Sequence, residues 1–244
     1  MIATFKIYLG DFKRRRCKKM NVSLFILALL MIPSAYLIGS IATGYIVFKK
    51  KTGKDIRNFG SGSTGGSNVL RLLGKKWGLS VILLDALKGF LPTLLALCLV
   101  DDRYAIYVFN GLIPALTGFA AILGHVYSCL VPKPKFKAGK SVAITFGVTS
   151  AIFLYYFPFP WDVTAIVTTF GAWLIAEKTT KKASIASLTL LVGIITNTVI
   201  IWYRTESPYS FSMIIIVLAV FLVLWTHKEN WPRVWKGEER ETQI

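Results

Sequence analysis

The sequence is short of the side chains on which most hydrolytic and metal-dependent enzymes rely. It has two histidines, His125 and His227, and neither stands in a cluster of Asp, Glu or Cys with metal-ligand spacing. Its three cysteines, Cys17, Cys98 and Cys129, are odd in number and show no metal-type spacing, which argues against a disulfide framework. No serine or cysteine occupies a nucleophile elbow, and no nucleophile–base–acid set can be assembled. Neither a metal nor any other cofactor is called for. Acidic residues are scarce: 12 Asp and Glu stand against 29 Lys and Arg, a net charge of +17. No aromatic RNA-binding box or recognition-helix pattern accompanies that excess, so it does not point to nucleic acid.

Over long runs, charge is missing altogether. Residues 21–48 contain no Asp, Glu, Lys or Arg, and neither do residues 104–131. Each run exceeds the roughly 20 residues that carry a helix across a bilayer core. With 54% of the chain hydrophobic and arranged in blocks rather than amphipathic stripes, the expected fold class is all-α: a polytopic transmembrane helix bundle. Seven spans are read, at about 21–48, 77–99, 104–124, 141–157, 161–176, 184–203 and 209–227. Phe157-Pro158-Phe159-Pro160-Trp161-Asp162 separates the fourth from the fifth, because two prolines and an acid stop a helix. Small residues at Gly39-Ser40, Gly118 and Gly124 suggest close helix packing.

Basic residues concentrate in alternate connections. Lys49 to Lys51, Lys54, Arg57, Arg71, Lys75 and Lys76 fill the first, Lys133, Lys135, Lys137 and Lys140 the next, and Lys178, Lys181 and Lys182 the third. The tail adds Lys228, Arg233, Lys236 and Arg240, whereas the other side has only Arg103 and Arg204. Positive-inside bias makes the first set cytoplasmic, with the N-terminus outside and the C-terminus cytoplasmic. The chain divides into a basic N-terminal extension (1–20), a seven-helix membrane domain (21–227) and a cytoplasmic tail (228–244) expected as short helix or coil. The extension conflicts with this orientation, because Lys6, Lys13, Arg14 to Arg16, Lys18 and Lys19 resist export. A start at Met20, directly before the first apolar block, would remove the conflict.

Polar interruptions carry the chemistry. Asp55-Ile-Arg57-Asn-Phe-Gly60-Ser61-Gly62-Ser63-Thr64-Gly65-Gly66-Ser67-Asn68-Val-Leu-Arg71 combines small residues, hydroxyls and cations. Backbone N–H groups can approach an anion closely there, so the segment reads as a phosphate cradle leading into a helix. It lacks a Walker ending, and a flexible solvated linker is an equal reading of the residues alone. Phe136-Lys137-Ala138-Gly139-Lys140-Ser141 puts two lysines around a glycine at the mouth of the fourth span, which positive-inside anchoring also explains. His227 and Asn230, three apart, share a face if the last helix continues through them. Asp85 and Lys88 lie inside the second span, where charges are costly and usually paired, either with each other or turned inward. A role in positioning the glycine-rich loop is the expectation.

Taken in order, these residues resemble the bacterial acyl-phosphate:glycerol-3-phosphate acyltransferases of the PlsY type. The resemblance runs from about Ser34 to Glu239. It rests on Tyr36-Leu-Ile-Gly-Ser40 with Gly44, Asp55-Ile-Arg57, Gly60-Ser-Gly62, Asn68-Val-Leu-Arg71, Gly74-Lys-Lys76, Asp85-Ala-Leu-Lys88-Gly89, Gly124-His125, Phe136-Lys-Ala-Gly139-Lys140, Ser184-Ile-Ala-Ser187, and His227, Glu229, Asn230, Gly237 and Glu238. It implies transfer of a fatty acyl group from acyl phosphate to the sn-1 hydroxyl of glycerol 3-phosphate, giving lysophosphatidic acid and phosphate. The site would lie at the cytoplasmic face of a bacterial inner or plasma membrane. Ser61, Arg71, Lys140, His227 and Asn230 would form the catalytic set. Arg57, Gly60, Gly62, Ser63, Gly65, Gly66, Ser67, Asn68, Gly139 and Ser184 would bind substrate and phosphate. The partners implied are the two substrates and membrane lipid, with a monomer expected and a homodimer as the alternative. Ser63 stands where the family usually has Asn, Ala138 and Ser141 where it has Gly, and Ser67 where it has Thr. The competing reading is a transporter or channel for an anionic solute, against which stands the gathering of charge at one face.

Overall fold

The computed structural model describes residues 22–99, 111–131, 139–156, 159–205, 210–239 and 241, and all regular structure longer than an isolated bridge is helical there. The helices are α1 (Val22–Ser40), α2 (Thr43–Thr52), α3 (Gly66–Leu73), α4 (Lys75–Leu99), α5 (Leu112–Val126), α6 (Val142–Tyr156), α7 (Trp161–Thr180), α8 (Ala183–Thr205), α9 (Ser210–Thr226) and α10 (Trp231–Trp235), with a 3₁₀ turn at Ile56–Asn58. The basic extension, Lys133, Lys135, Lys137, Ala138 and the Phe157-Pro158 pair lie outside the described residues.

Burial is inverted relative to a water-soluble protein. On α4, Leu91 and Leu95 face outward at 56 and 54% exposure, while Asp85, Lys88 and Thr93 are buried. This is what a hydrocarbon solvent selects, because lipid is as apolar as leucine and only polar groups gain by turning inward. Among the described residues three stretches are long and apolar enough to cross a membrane: Leu29–Thr52, Lys75–Leu99 and Ala183–Ile200. Leu112–Val126, Val142–Tyr155 and Met213–Thr226 are shorter apolar helices. Several buried threonines bond back along their own helices, as with Thr93 to the Gly89 carbonyl at 2.7 Å and Thr198 to that of Ile194 at 2.7 Å.

Close approach takes the place of hydrophobic drive between helices. A Cβ on Gly39 would collide with the Ala121 carbonyl, and one on Gly124 with that of Tyr36. The α1–α5 crossing therefore rests on these two glycines, and a methyl at either position would cost about 1–3 kcal/mol. Ile122, Ile144, Val148, Ile194, Ile216 and Val223 form the central core. A smaller cluster of Phe48, Ile56, Val69 and Val81 ties α2, the 3₁₀ turn, α3 and α4 together and anchors both ends of the glycine-rich segment.

The first expected span, 21–48, is not one helix. It breaks at Ile41-Ala42 and resumes as α2. The break is stable because its freed carbonyls are taken by side chains from elsewhere. The Lys88 ammonium donates to the Ile41 carbonyl at 2.8 Å, and the Ser128 hydroxyl donates to that of Ser40. Asp85 accepts from the Thr43 hydroxyl at 2.9 Å and pairs with Lys88 at 2.8 Å. The buried α4 charges thus do both things expected of them: they pair, and they turn inward onto a broken helix. The fifth span runs four residues further than expected, to Thr180. The tail forms α10 and a strap that returns as far as a bridge between Lys182 and Glu241.

Candidate active site

Ser61, Ser63, Gly65, Gly66, Ser67, Asn68, Arg71, Lys140, Ser184, His227 and Asn230 line one cavity of about 650 Å³. They come from segments up to 169 residues apart in sequence, yet converge at one end of the bundle. Gly62 and Gly139 line a smaller neighbouring cavity that shares Ser61, Ser63 and Lys140 with the first. Arg57 and Gly60 line neither.

The glycine-rich segment is ordered rather than a loose linker. Asn68, 1% exposed, holds it: Oδ1 accepts from the Ser61 N–H at 3.0 Å, and Nδ2 donates to the Phe59 and Ser63 carbonyls at 3.1 and 2.9 Å. Gly60 and Gly62 have φ of 60° and 70°, the region that only glycine occupies at little cost. A Cβ on Gly60 would strike the Asn68 amide. Gly60 and Asn68 therefore shape the loop, and the amide of Asn68 is spent on backbone. The loop ends at the N-terminus of α3, where Gly65 precedes the helix without a side-chain cap. The first N–H groups of that helix have no intrahelical partner and favour an anion. Arg71, one turn on, lines the same cavity, and its Nε donates to the Glu241 carbonyl at 2.9 Å. Arg57 is engaged elsewhere: its guanidinium grips Asp55 through Nε at 3.0 Å and a terminal nitrogen at 2.6 Å, and lies over the Tyr45 ring.

Lys140 reaches the cavity from the mouth of α6. Gly139 lies against the His125 ring with no room for a Cβ, and its N–H donates to the His125 carbonyl at 3.2 Å. The Lys140 carbonyl accepts from the Thr226 hydroxyl at 3.1 Å, which ties this turn to α9. Burial pushes the Lys140 ammonium down to about 8, Arg233 and Arg71 add to the fall, and Glu239 and Glu229 oppose it. A cation held so uneasily is stabilised by an incoming anion. Ser141 follows at φ 65°, a conformation costing a non-glycine residue about 1–2 kcal/mol.

His227 and Asn230 are brought together, but by a turn: α9 ends at Thr226, and residues 227–230 curl so that the Asn230 N–H donates to the His227 carbonyl at 2.7 Å. The His227 Nδ1 lies 2.9 Å from the Val223 carbonyl. A carbonyl can only accept, so Nδ1 carries the proton in the neutral ring and Nε2 is the acceptor. Asn230 donates to the Ser184 hydroxyl and to Glu239 Oε1, and accepts from Arg233 at 2.8 Å. Ser184 in turn donates to Glu239 Oε1 at 2.7 Å.

Glu239, Arg233, Asp85 and His125 also line the cavity and were not among the expected site residues. Asp85 and His125 lay in quoted motifs and were legible as polar residues in apolar runs. Glu239 is 8% exposed in a tail expected as short helix or coil, where the resemblance ended and Glu229, Asn230, Gly237 and Glu238 were the residues singled out. Beyond this polar mouth the wall is apolar: Ile82 and Leu83 of α4, Phe146 of α6, and Val167, Phe170 and Trp173 of α7.

A helix bundle with lipid-facing apolar sides and one cavity that joins cationic side chains to apolar walls defines, as a class, a membrane-embedded protein with a built-in ligand site. A model of the family described as glycerol-3-phosphate acyltransferase matches residues 29–237. The chain is 34% identical over 215 residues to a glycerol-3-phosphate acyltransferase of Lawsonia intracellularis, covering 88% of this chain and 96% of that one. It is also 34% identical to one of Aquifex aeolicus, covering 87% and 97%. The crystal structure of PlsY (YgiH), an integral membrane glycerol 3-phosphate acyltransferase, in its glycerol 3-phosphate form superposes with a TM-score of 0.73 at 30% identity, covering 88% of this chain and 96% of that one. Its lysophosphatidic acid form gives 0.69 at 29% identity. The chain belongs to the glycerol-3-phosphate acyltransferase family, and it is an integral membrane acyltransferase. That membership displaces the anion-transporter alternative.

Proposed function

We propose that this acyltransferase takes its acyl group from acyl phosphate and delivers it to the sn-1 hydroxyl of glycerol 3-phosphate, releasing lysophosphatidic acid and phosphate for phospholipid biosynthesis. The observation that carries the reading is the single cavity joining Arg71, Lys140 and the α3 N-terminus to an apolar interior. The fatty chain lies in the apolar part, and the head meets the water-soluble acceptor at the mouth. Arg71 and Lys140 hold phosphate, and Ser61 with the neighbouring backbone N–H groups binds the second anion. His227, through Nε2, accepts from the glycerol hydroxyl and orients it, while Asn230 keeps the turn and Ser184 in place.

The hydroxyl oxygen attacks the acyl carbonyl carbon, the new ester C–O bond forms, and the C–O bond to phosphate breaks. The hydroxyl proton leaves with phosphate or to water. A mixed anhydride is already activated, so positioning and charge stabilisation suffice, and no covalent acyl-enzyme is needed.

The proposed topology counts α1 with α2 as one broken span, followed by α4 to α9. The N-terminus lies outside, and the C-terminus and cavity mouth lie at the cytoplasmic face of the cell membrane. Lys49 to Lys51, Lys140, Lys178 and Lys228 support that side.

The test is reconstitution of the purified chain in lipid with acyl phosphate and glycerol 3-phosphate. Lysophosphatidic acid is the expected product, and acyl carrier protein or coenzyme A thioesters should not replace the donor. No product from folded protein, or equal rates with thioesters, sinks the reading. Lys140→Ala and Arg71→Ala should each lose about 100-fold or more in activity while still inserting in the membrane. Wild-type rates in either variant would remove that residue from the site.

A further inference from the structure

Arg71 stands on a short helix, α3, that packs against α4 and α2. An arginine side chain has much rotamer freedom to lose, and a planar guanidinium serves an anion only when its fork faces it. The bond that bears on this plane comes from the far end of the chain. Arg71 Nε donates to the Glu241 main-chain carbonyl at 2.9 Å, across 170 residues of sequence. It uses Nε alone, so it sets the plane of the guanidinium without drawing on the terminal nitrogens.

That carbonyl is held from the other side of the cavity. Gly237, at φ 73°, closes α10, and the N–H groups of Gly237 and Glu238 donate to the Val234 and Arg233 carbonyls at 3.1 and 2.8 Å. The chain then returns toward α8. The buried Glu239 is fixed through its side chain, which accepts from Ser184 and Asn230. Two residues on, Glu241 forms an antiparallel bridge with Lys182, directly before α8. A side-chain anchor and a main-chain anchor on the 182–184 stretch thus bracket the acceptor. Its position is set by α8, and the Glu241 side chain itself is exposed.

We propose that the Glu241 carbonyl is a positioning group for Arg71, carried by the C-terminal strap, which orders the guanidinium for phosphate before substrate arrives. The bond registers an arginine of α3 against the α8 side of the cavity. Substrate then meets a side chain already ordered, which removes part of the cost of binding. The inference rests on the reading of Arg71 as a phosphate ligand, and it assigns the strap a role beyond packing.

A chain ending at Glu239 keeps that side chain and loses the acceptor. Its new terminal carboxylate falls two residues short, about 7 Å of extended chain, too far to replace the carbonyl. A chain ending at Glu241 keeps the acceptor and serves as control. Each is made with Arg71 and with Arg71→Ala, and assayed in lipid at subsaturating acyl phosphate and glycerol 3-phosphate, beside thermal unfolding in detergent. With Arg71 present, the chain ending at Glu239 should lose about tenfold in rate, the scale of ordering one rotamer-rich side chain. The control should stay within about twofold. In the Arg71→Ala background the shorter chain should lose less than about twofold more, because groups in contact are not additive. If the shorter chain does not fold, two glycines inserted between Glu239 and Arg240 slacken the strap with every residue kept, and the same pattern is expected. A folded variant within about twofold of wild type overturns the proposal. So does an equal loss in both backgrounds, which would make the strap a packing element only. A wild-type rate in Arg71→Ala alone is a separate result: it removes Arg71 from the phosphate site and fails the underlying reading instead.

Discussion

The glycine-rich segment and the C-terminal segment reach the same cavity and are fixed there by opposite means. Residues 59–68 are held by one neutral side chain, with the Asn68 amide bonded to backbone at three points. Residues 227–239 are held by side chains bonded to side chains, with Glu239 accepting from Ser184 and Asn230, and Arg233 3.7 Å from its second oxygen. A wall built on backbone keeps its shape whatever its charge state and leans most on one side chain, Asn68. A side-chain-built wall spreads the burden over several residues but answers to pH. The first presents N–H groups to an anion without moving. The second bears on the charge of Lys140: burial pushes that ammonium down most, Glu239 is the strongest influence opposing it, and Arg233 of the same segment adds to the fall.

The sharpest way to break the contrast is Asn68→Ala. It leaves the Ser61 N–H and two carbonyls without their partner, a loss of about 3 kcal/mol at about 1 kcal/mol per bond. The loop should lose its shape and activity should fall by more than about 100-fold, with no recovery at any pH. Assays from pH 6 to 9, with circular dichroism to show intact helices, check this. Activity that returned on changing pH would mean the loop is held by charge after all.

Glu239→Gln tests the other wall, and the effect is smaller. The glutamine carbonyl can still accept from Ser184 and Asn230, so the turn survives, but the negative charge beside Lys140 is gone. Glu239 raises the Lys140 pKa, so its loss lowers that pKa further below about 8. The protonated, phosphate-holding form of Lys140 exists below its pKa. In the wild type, the KM for a phosphorylated substrate should therefore rise as pH passes about 8. In the variant the same rise should begin at lower pH, with near-wild-type activity at pH 6. A profile of KM against pH decides it, and superimposable profiles would sever Glu239 from Lys140.

The two walls also differ in how far their sequence betrayed them. Positive φ at Gly60 and Gly62, and a helix opening at Gly66, are backbone properties that glycine spacing announces locally. The buried pair on α4 was equally plain, because two charges in an apolar run must find partners. The break at Ile41-Ala42 was not legible. No proline or charge marks it, and the groups that stabilise it, Lys88 and Ser128, lie 47 and 88 residues away. Glu239 was hidden for a related reason: its burial depends on a strap folding back to Ser184, 55 residues earlier. His227 and Asn230 were expected to share a face only if the last helix continued through them; it ends at Thr226, and periodicity carries no signal for a turn that follows a helix directly.

Arg57 is where local sequence and geometry disagree most, and it should give the smallest effect. In sequence it is a cation at the entrance to a phosphate-like loop. In the structure its guanidinium is spent on Asp55 and on the face of Tyr45, and it lines neither cavity. Replacing it with alanine removes a partly exposed ion pair worth up to about 1 kcal/mol. The Asp55 carboxylate would still accept from the backbone N–H of residue 57 at 2.9 Å, so the 3₁₀ turn keeps its cap. Ile56 would stay in the small core that anchors the loop. Arg57→Ala should then keep kcat/KM for glycerol 3-phosphate within about threefold of wild type, far from the roughly 100-fold that removal of an anion-stabilising donor costs in a dry site. A loss of tenfold or more, with the melting temperature unchanged, would put Arg57 back among the substrate's ligands and require the guanidinium to leave Asp55 when substrate binds.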